Sequence, residues 1–298
     1  MQVIANGITL EIEQHGPMDG VPLVLIRGQG SQLVHWPDAF IQGFATAGFR
    51  TVAFDNRDTG LSQRCGNTDI AGNADAVLDL LHTGAELPKP YGIEDLADDV
   101  AGLMDALGIR QAHVLGISMG GAVLQQMCLA HADRLLSATI IMSACRPFGE
   151  RGGGDPEAML KLAQNLLVRP RSLQQYQDDQ VVEHANWGSP DYPMPEDEIR
   201  EMAARAYGRG LDDEGLNRQV LAIAHAPDRR PALQHIHVPC QIIHGTDDTL
   251  VPVELGQEIA AHIPNSTFHA IPGMGHIITP ALSPVIVGMS TRFIEQVS

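Results

Sequence analysis

No apolar stretch in this chain of 298 residues approaches the roughly 18 residues that a membrane-spanning helix needs. The opening "MQVIANGITLEIEQHG" alternates apolar and polar residues like a strand, and it lacks the basic start and apolar block of a secretory signal. A cytoplasmic location with no membrane partner is therefore expected. Basic residues are scarce as well: 19 lysines and arginines face 36 aspartates and glutamates, a formal charge of −17. Such a surface repels phosphate, so nucleic acid is excluded as a natural partner, and the surplus of acid serves solubility first. The four cysteines, Cys65, Cys128, Cys145 and Cys240, lie far apart with no Cys-x-x-Cys pair. Structural zinc and a disulfide framework are thereby disfavoured, and the last three read as small core residues. Internal repeats and low-complexity tracts are absent too.

What is present is alternation. Short apolar runs take turns with helical patterns through the first half, which implies a mostly parallel sheet covered by helices. "ITLEIEQHG" and "VPLVLIRGQG" suggest an opening hairpin and then the first buried strand, and "RTVAFDNRDTG" the next. From Tyr91 a helix is marked by Ile93, Leu96, Val100, Leu103, Met104 and Leu107 at spacings of three and four, with Glu94, Asp95, Asp98 and Asp99 near its positive end. "QAHVLGI", "LLSATIIMSA", "VPCQIIHG" and "STFHAIPG" read as further strands. Strand signals stop between Arg146 and about Ala232. That segment opens with "GERGGGD" and predicts helices near Pro156–Leu167, Pro195–Tyr207 and Leu211–Ala226. The division expected is a core of residues 1–145 and 233–298 and a helical cap of residues 146–232.

One pentapeptide carries chemistry. Gly116-Ile117-Ser118-Met119-Gly120 joins a strand to a helix, and that setting gives Gly-x-Ser-x-Gly its meaning as a nucleophile elbow. The sharp turn strains the serine backbone and projects its hydroxyl above the sheet, while side chains at the flanking glycines would strike the facing strand and helix. By itself the pentapeptide decides little, since a plain strand-to-helix turn reads the same way. A serine becomes a nucleophile only beside a base that a third group orients. "IIHGTDDTLVP" offers Asp247 and Asp248 after a strand, and "IPGMGHIITP" offers His276 in a glycine-rich loop. Serine, aspartate, histidine is the chain order this architecture requires. The other histidines, His113, His131, His225, His235, His237, His244 and His269 among them, read as bystanders in or beside regular elements.

These motifs together resemble the α/β-hydrolase superfamily over nearly the whole chain: the strand before "RGQG", "DNRDTGLS", the Tyr91 helix, "GISMGG", "HGTDDTLVP" and "PGMGH". Within it, "WPDAF", "DNRDTGLS" and "IPGMGH" look most like the aclacinomycin methylesterase group. The resemblance implies an α/β-hydrolase fold with a helical cap and selects Asp248 over Asp247, from its spacing to Gly245 and Pro252. It implies an oxyanion hole built from the backbone N–H groups of Gln29 and Met119. Most of the superfamily has histidine where this chain has Arg27, which is expected either to pair with a nearby acid or to meet a polar substrate group. Asp55, Arg57 and Asp58 of "DNRDTGLS" are expected to brace one another.

The function that follows is hydrolysis of a carboxylic ester by a Ser118–His276–Asp248 triad through an acyl-enzyme, with no cofactor and no metal. The substrate expected is a small to medium ester, including a polycyclic methyl ester. Gly28, Trp36, Trp187 and Tyr192 are candidates for lining the pocket, as are Tyr176 and Met119. The stretch from Cys65 to Pro90 is long for such a loop and is expected near the entrance. Carbon–carbon bond hydrolysis, cofactor-free perhydrolysis and acyl transfer share the triad and stay open, as does a ligand receptor with little turnover. A serine at position 118 disfavours dehalogenases and epoxide hydrolases that use an aspartate nucleophile. Monomer and homodimer are equally open.

Overall fold

The computed structural model describes residues 1–66, 70–150 and 166–298. Its sheet runs β1 (Gln2–Ala5), β2 (Ile8–His15), β3 (Val21–Ile26), β4 (Phe49–Phe54), β5 (Ala112–Ile117), β6 (Leu135–Ile141), β7 (Cys240–Gly245) and β8 (Thr267–Ile271). The order across it is β1-β2-β4-β3-β5-β6-β7-β8. β1 and β2 form a hairpin through Asn6 and Gly7, both at positive φ, and β2 lies antiparallel to β4. From β4 to β8 every pairing is parallel.

Alternation along the strands builds two cores. Val24 and Ile26 of β3 and Val114 of β5 join one cluster with the helices Ile93–Ala106 and Met119–Ala130. Leu23, Leu25, Leu115 and Ile117 join the other, against the helices Asp38–Thr46 and Ser283–Val297. A slip of one residue would exchange the two sets, so burial of both faces fixes the register. Because the strands from β3 on are parallel, the loops after β3, β5, β7 and β8 all open at one edge of the sheet, where sites form in such folds.

Between β6 and β7 lie helices and no strand among the described residues: Leu173–Trp187, Glu196–Gly208, Asp213–Ala224 and the short Arg230–Leu233. The second and third match the expected patterns. The helix expected near Pro156–Leu167, and most of "GERGGGD", lie outside the described residues. The helix Leu173–Trp187 had no apolar stripe to announce it, because Tyr176 is its one fully buried residue. The Cys65–Pro90 stretch holds a helix, Ala74–Thr83, which packs Ala74 and Val77 against Val220 and Leu221. Among its described residues none lines the space above Ser118.

Asp55, Arg57 and Asp58 do not brace one another; each reaches a distant partner. Arg57 pairs with Asp99 at 2.7 Å. Asp58 accepts from both Arg218 and Tyr91, at 2.9 and 2.8 Å. The Asp55 carboxylate accepts from the Leu33 and Leu61 amides and from Arg209. Burial pushes the Asp55 carboxyl upward against these contacts. Gly60, at φ +54, is required because a Cβ there would fall 2.1 Å from the Asp55 carboxylate. Arg209 and Arg218 belong to the segment between β6 and β7, so these pairs tie it to the sheet. No helix among the described residues is long and apolar enough to cross a membrane.

Candidate active site

Ser118 follows β5 and is the N-cap of the helix Met119–Ala130, with φ 53 and ψ −118, a backbone region that L side chains rarely occupy. The flanking glycines make it attainable. A Cβ on Gly116 would come 2.2 Å from the Gly120 carbonyl, and one on Gly120 would come 2.3 Å from the Ile26 carbonyl of β3. The Ser118 amide donates to Ile141 and its carbonyl accepts from Ser143 Oγ at 2.8 Å, so β6 anchors the turn.

His276 Nε2 lies 2.9 Å from Ser118 Oγ, and its Nδ1 lies 2.6 Å from Asp248 Oδ2. A carboxylate only accepts, so Nδ1 carries the proton of the neutral ring and Nε2 is left to take the hydroxyl proton. Asp248 is buried, and its other oxygen accepts from the Leu250 and Val251 amides at 3.0 and 2.8 Å. Burial alone would raise its pKa; the facing His276, a His244 contact and the Val251 amide prevail and hold the carboxyl well below the usual range. Asp247 is exposed and turns to Thr246 instead.

The loop carrying His276 is shaped from outside the sheet. The His276 amide donates to the Trp187 carbonyl at 2.6 Å, and the Gly275 amide to Ser189 Oγ at 3.0 Å. A Cβ on Gly275 would lie 2.1 Å from the Gly188 carbonyl, and one on Gly273 2.2 Å from Asp191. The two glycines thus answer a close approach by residues 187–191 more than a need to bend over the sheet; of the two, only Gly273 has positive φ.

Both residues expected to supply the oxyanion donors border the space beside Ser118. Gln29 lies in the loop after β3 and lines both cavities beside Ser118, and Met119 lines the smaller. Among the described residues neither backbone N–H has an acceptor. Gly28 is held close: a Cβ there would approach the Ser118 Cβ to 3.1 Å. Gln219, fully buried, accepts the Gly30 amide at 2.7 Å and donates to the Arg57 carbonyl and Thr59 hydroxyl at 2.8 Å. No motif marked Gln219, because its partners lie far away in the chain. His244 reads in the sequence as a bystander, yet its Nε2 lies 3.4 Å from Asp248 Oδ2 while bonding the Val251 carbonyl at 2.7 Å.

A cavity of about 400 Å³ opens over Ser118 and His276, and a recess of about 50 Å³ adjoins it. Gly28, Trp36, Tyr176 and Trp187 line the larger space. Tyr192 lines neither; it packs against the core cluster beneath, and its carbonyl accepts from Thr279. The recess is walled by apolar groups, among them Met119, Ala122, Phe148 and Ile223.

With this geometry in view, relatives separate fold from chemistry. Residues 21–279 match a family described as the alpha/beta hydrolase fold. The chain belongs to the α/β-hydrolase fold family. Rhodomycin D methylesterase DnrP of Streptomyces peucetius is 28% identical over 293 residues, spanning 92% of this chain and 91% of that protein. The enol-lactonase from Burkholderia xenovorans LB400 shares 25% identity and a TM-score of 0.77 over 99% of this chain and 100% of that one. The meta-cleavage product hydrolase CumD from Pseudomonas fluorescens IP01, at 18% identity and a TM-score of 0.75 over 100% of this chain and 98% of that one, shares the fold. For this α/β hydrolase, similarity to a methylesterase accords with the motif resemblance.

Proposed function

We propose that the protein is a serine carboxylic-ester hydrolase, an enzyme of type EC 3.1.1. The observation that carries the proposal is the continuous hydrogen-bonded line from Ser118 Oγ through His276 to Asp248, at 2.9 and 2.6 Å. Ser118 attacks the ester carbonyl as His276 Nε2 takes its proton. Asp248, ionised at neutral pH, stabilises the imidazolium that forms. Negative charge gathers on the carbonyl oxygen, where the Gln29 and Met119 amides meet it; one such donor contributes a hundredfold or more in typical enzymes of this chemistry. The imidazolium then protonates the leaving alcohol, and the acyl group remains on Ser118. Water, deprotonated by His276, attacks the acyl carbon and releases the acid and the free serine.

The unequal spaces suggest how an ester sits. A recess of about 50 Å³ holds a group the size of a methoxy, whereas about 400 Å³ accepts a much larger acyl part. That division favours methyl or other short alkyl esters of a bulky acid. In this reading residues 146–232 act as the cap over a core of residues 1–145 and 233–298, shielding the site from water. Kinetics on para-nitrophenyl esters of graded length, beside a polycyclic methyl ester, test the proposal. Turnover that disappears in Ser118→Ala supports it. Absence of turnover on every ester contradicts it.

A further inference from the structure

The cavity over Ser118 contains a cation that no carboxylate among the described residues pairs. Arg27 follows β3, is 9% exposed and lines that cavity. Four arginines are buried among the described residues: Arg27, Arg57, Arg218 and Arg229. Arg57 and Arg218 meet carboxylates at 2.7 and 2.9 Å, and Arg229 donates to the Ala144 carbonyl at 2.8 Å. Arg27 alone donates to no acceptor among the described residues, and its buried Nε is unpartnered. The acid expected beside it is absent from that set. Asp38, Glu183, Glu198 and Glu201 line the same cavity, yet none pairs with it. Its guanidinium carbon sits 4.6 Å from the centre of the Trp36 ring, whose Nε1 is also buried without an acceptor.

Two unpartnered donors in one wall, one of them charged, suit a ligand group that accepts hydrogen bonds and carries negative charge. Stacking on Trp36 returns part of the cost of burying the cation, but leaves every N–H of the guanidinium unmet. Burial lowers the Arg27 pKa to about 9, so the group is still a cation at neutral pH. Each of the other three buried arginines finds acceptors within the chain, carboxylates for Arg57 and Arg218 and neutral oxygens for Arg229, so Arg27 stands apart.

We infer that the ester substrate carries a carboxylate on its acyl part, bound by Arg27 beside Trp36, so that the enzyme prefers half-esters of dicarboxylic acids to neutral esters. The inference rests on the esterase reading and adds the substrate's charge to it. A carboxylate meets a guanidinium through two parallel hydrogen bonds, a geometry that a neutral amide does not reproduce. Arg27 is a binding residue in this scheme, with no part in the proton transfers, so its effect falls mainly on KM.

The test compares monomethyl esters of succinic, glutaric, adipic and suberic acid with the same esters bearing a terminal primary amide. For at least one length the carboxylate should be preferred by about tenfold or more in kcat/KM, chiefly through KM. Arg27→Gln should bring that ratio close to one, and Arg27→Lys should retain part of it. Equal or better hydrolysis of the amides at every length overturns the inference and leaves the esterase reading standing. So does hydrolysis of para-nitrophenyl esters with none of either series. Failure on all esters, para-nitrophenyl ones included, removes the esterase reading and the inference together. Should Arg27→Gln fail to fold, the wild-type ratio and Arg27→Lys decide.

Discussion

The backbone N–H of His276 donates to the carbonyl of Trp187 at 2.6 Å. One residue ends a helix of the segment between β6 and β7; the other faces Ser118. The placement of the imidazole is therefore set by that segment as well as by the sheet.

Gly275 is the point of closest approach, 2.1 Å from a would-be Cβ to the Gly188 carbonyl. Gly275→Ala must push the two backbones apart and carry His276 with them. A displacement near 1 Å costs on the order of a hundredfold in rate. Ester kinetics beside a thermal melt check this: kcat should fall by about that factor in a protein that still melts cooperatively. Activity within about twofold of wild type would show that the approach does not position His276.

Gln219 holds the loop of the other proposed donor, one residue past Gln29. Gln219→Leu strands the Gly30 amide, the Arg57 carbonyl and the Thr59 hydroxyl, each a loss of about 1–3 kcal/mol where it stays buried. Stability should drop in a denaturant titration, and kcat should fall by about tenfold or more because the oxyanion donor drifts. Gln219→Glu keeps an acceptor for Gly30 and should recover part of kcat. Equal kcat in Gln219→Leu and wild type would assign the residue to stability alone.

Asp247 and Asp248 are neighbours with opposite fates, one in solvent and one at 2.6 Å from His276. Asp248→Asn removes the charge that stabilises the imidazolium and should lower kcat by about a thousandfold or more. Asp247→Asn should change it by less than threefold or so. A reversed result would move the acid to Asp247.

Glu183 lines the cavity, and burial raises its carboxyl from 4.5 to about 7, against lowering contacts from Gln180 and Arg171. The folded protein therefore holds a proton that the unfolded chain has released across that interval. Stability contributed by the protonated form is present below pH 4.5 and is lost as pH rises to about 7. Glu183→Gln, neutral throughout, should gain melting temperature relative to wild type across this window and hold a constant difference above it. A difference that does not vary with pH would show that Glu183 ionises normally.

How much of this was legible in the sequence depends on how local each constraint is. The elbow at Ser118 could be read because its glycines answer contacts within a few residues and one neighbouring strand. Asp248 and His276 could be read because each follows a strand end at a fixed offset. Asp55 and Asp58 could not be matched to Arg209 and Arg218, since nothing near an aspartate tells which arginine some 150 residues onward will reach it. The helix Leu173–Trp187 escaped because it buries little apolar surface, and its hold on the His276 loop is made by a main-chain carbonyl, which any residue supplies.

The most direct measurement is intact-mass analysis after reaction with a fluorophosphonate, followed by peptide mapping. A single adduct on Ser118, absent in Ser118→Ala and strongly slowed in a variant lacking the His276 imidazole, is the predicted result. No adduct, or labelling that persists on another residue in Ser118→Ala, would contradict the claim that Ser118 is an activated nucleophile.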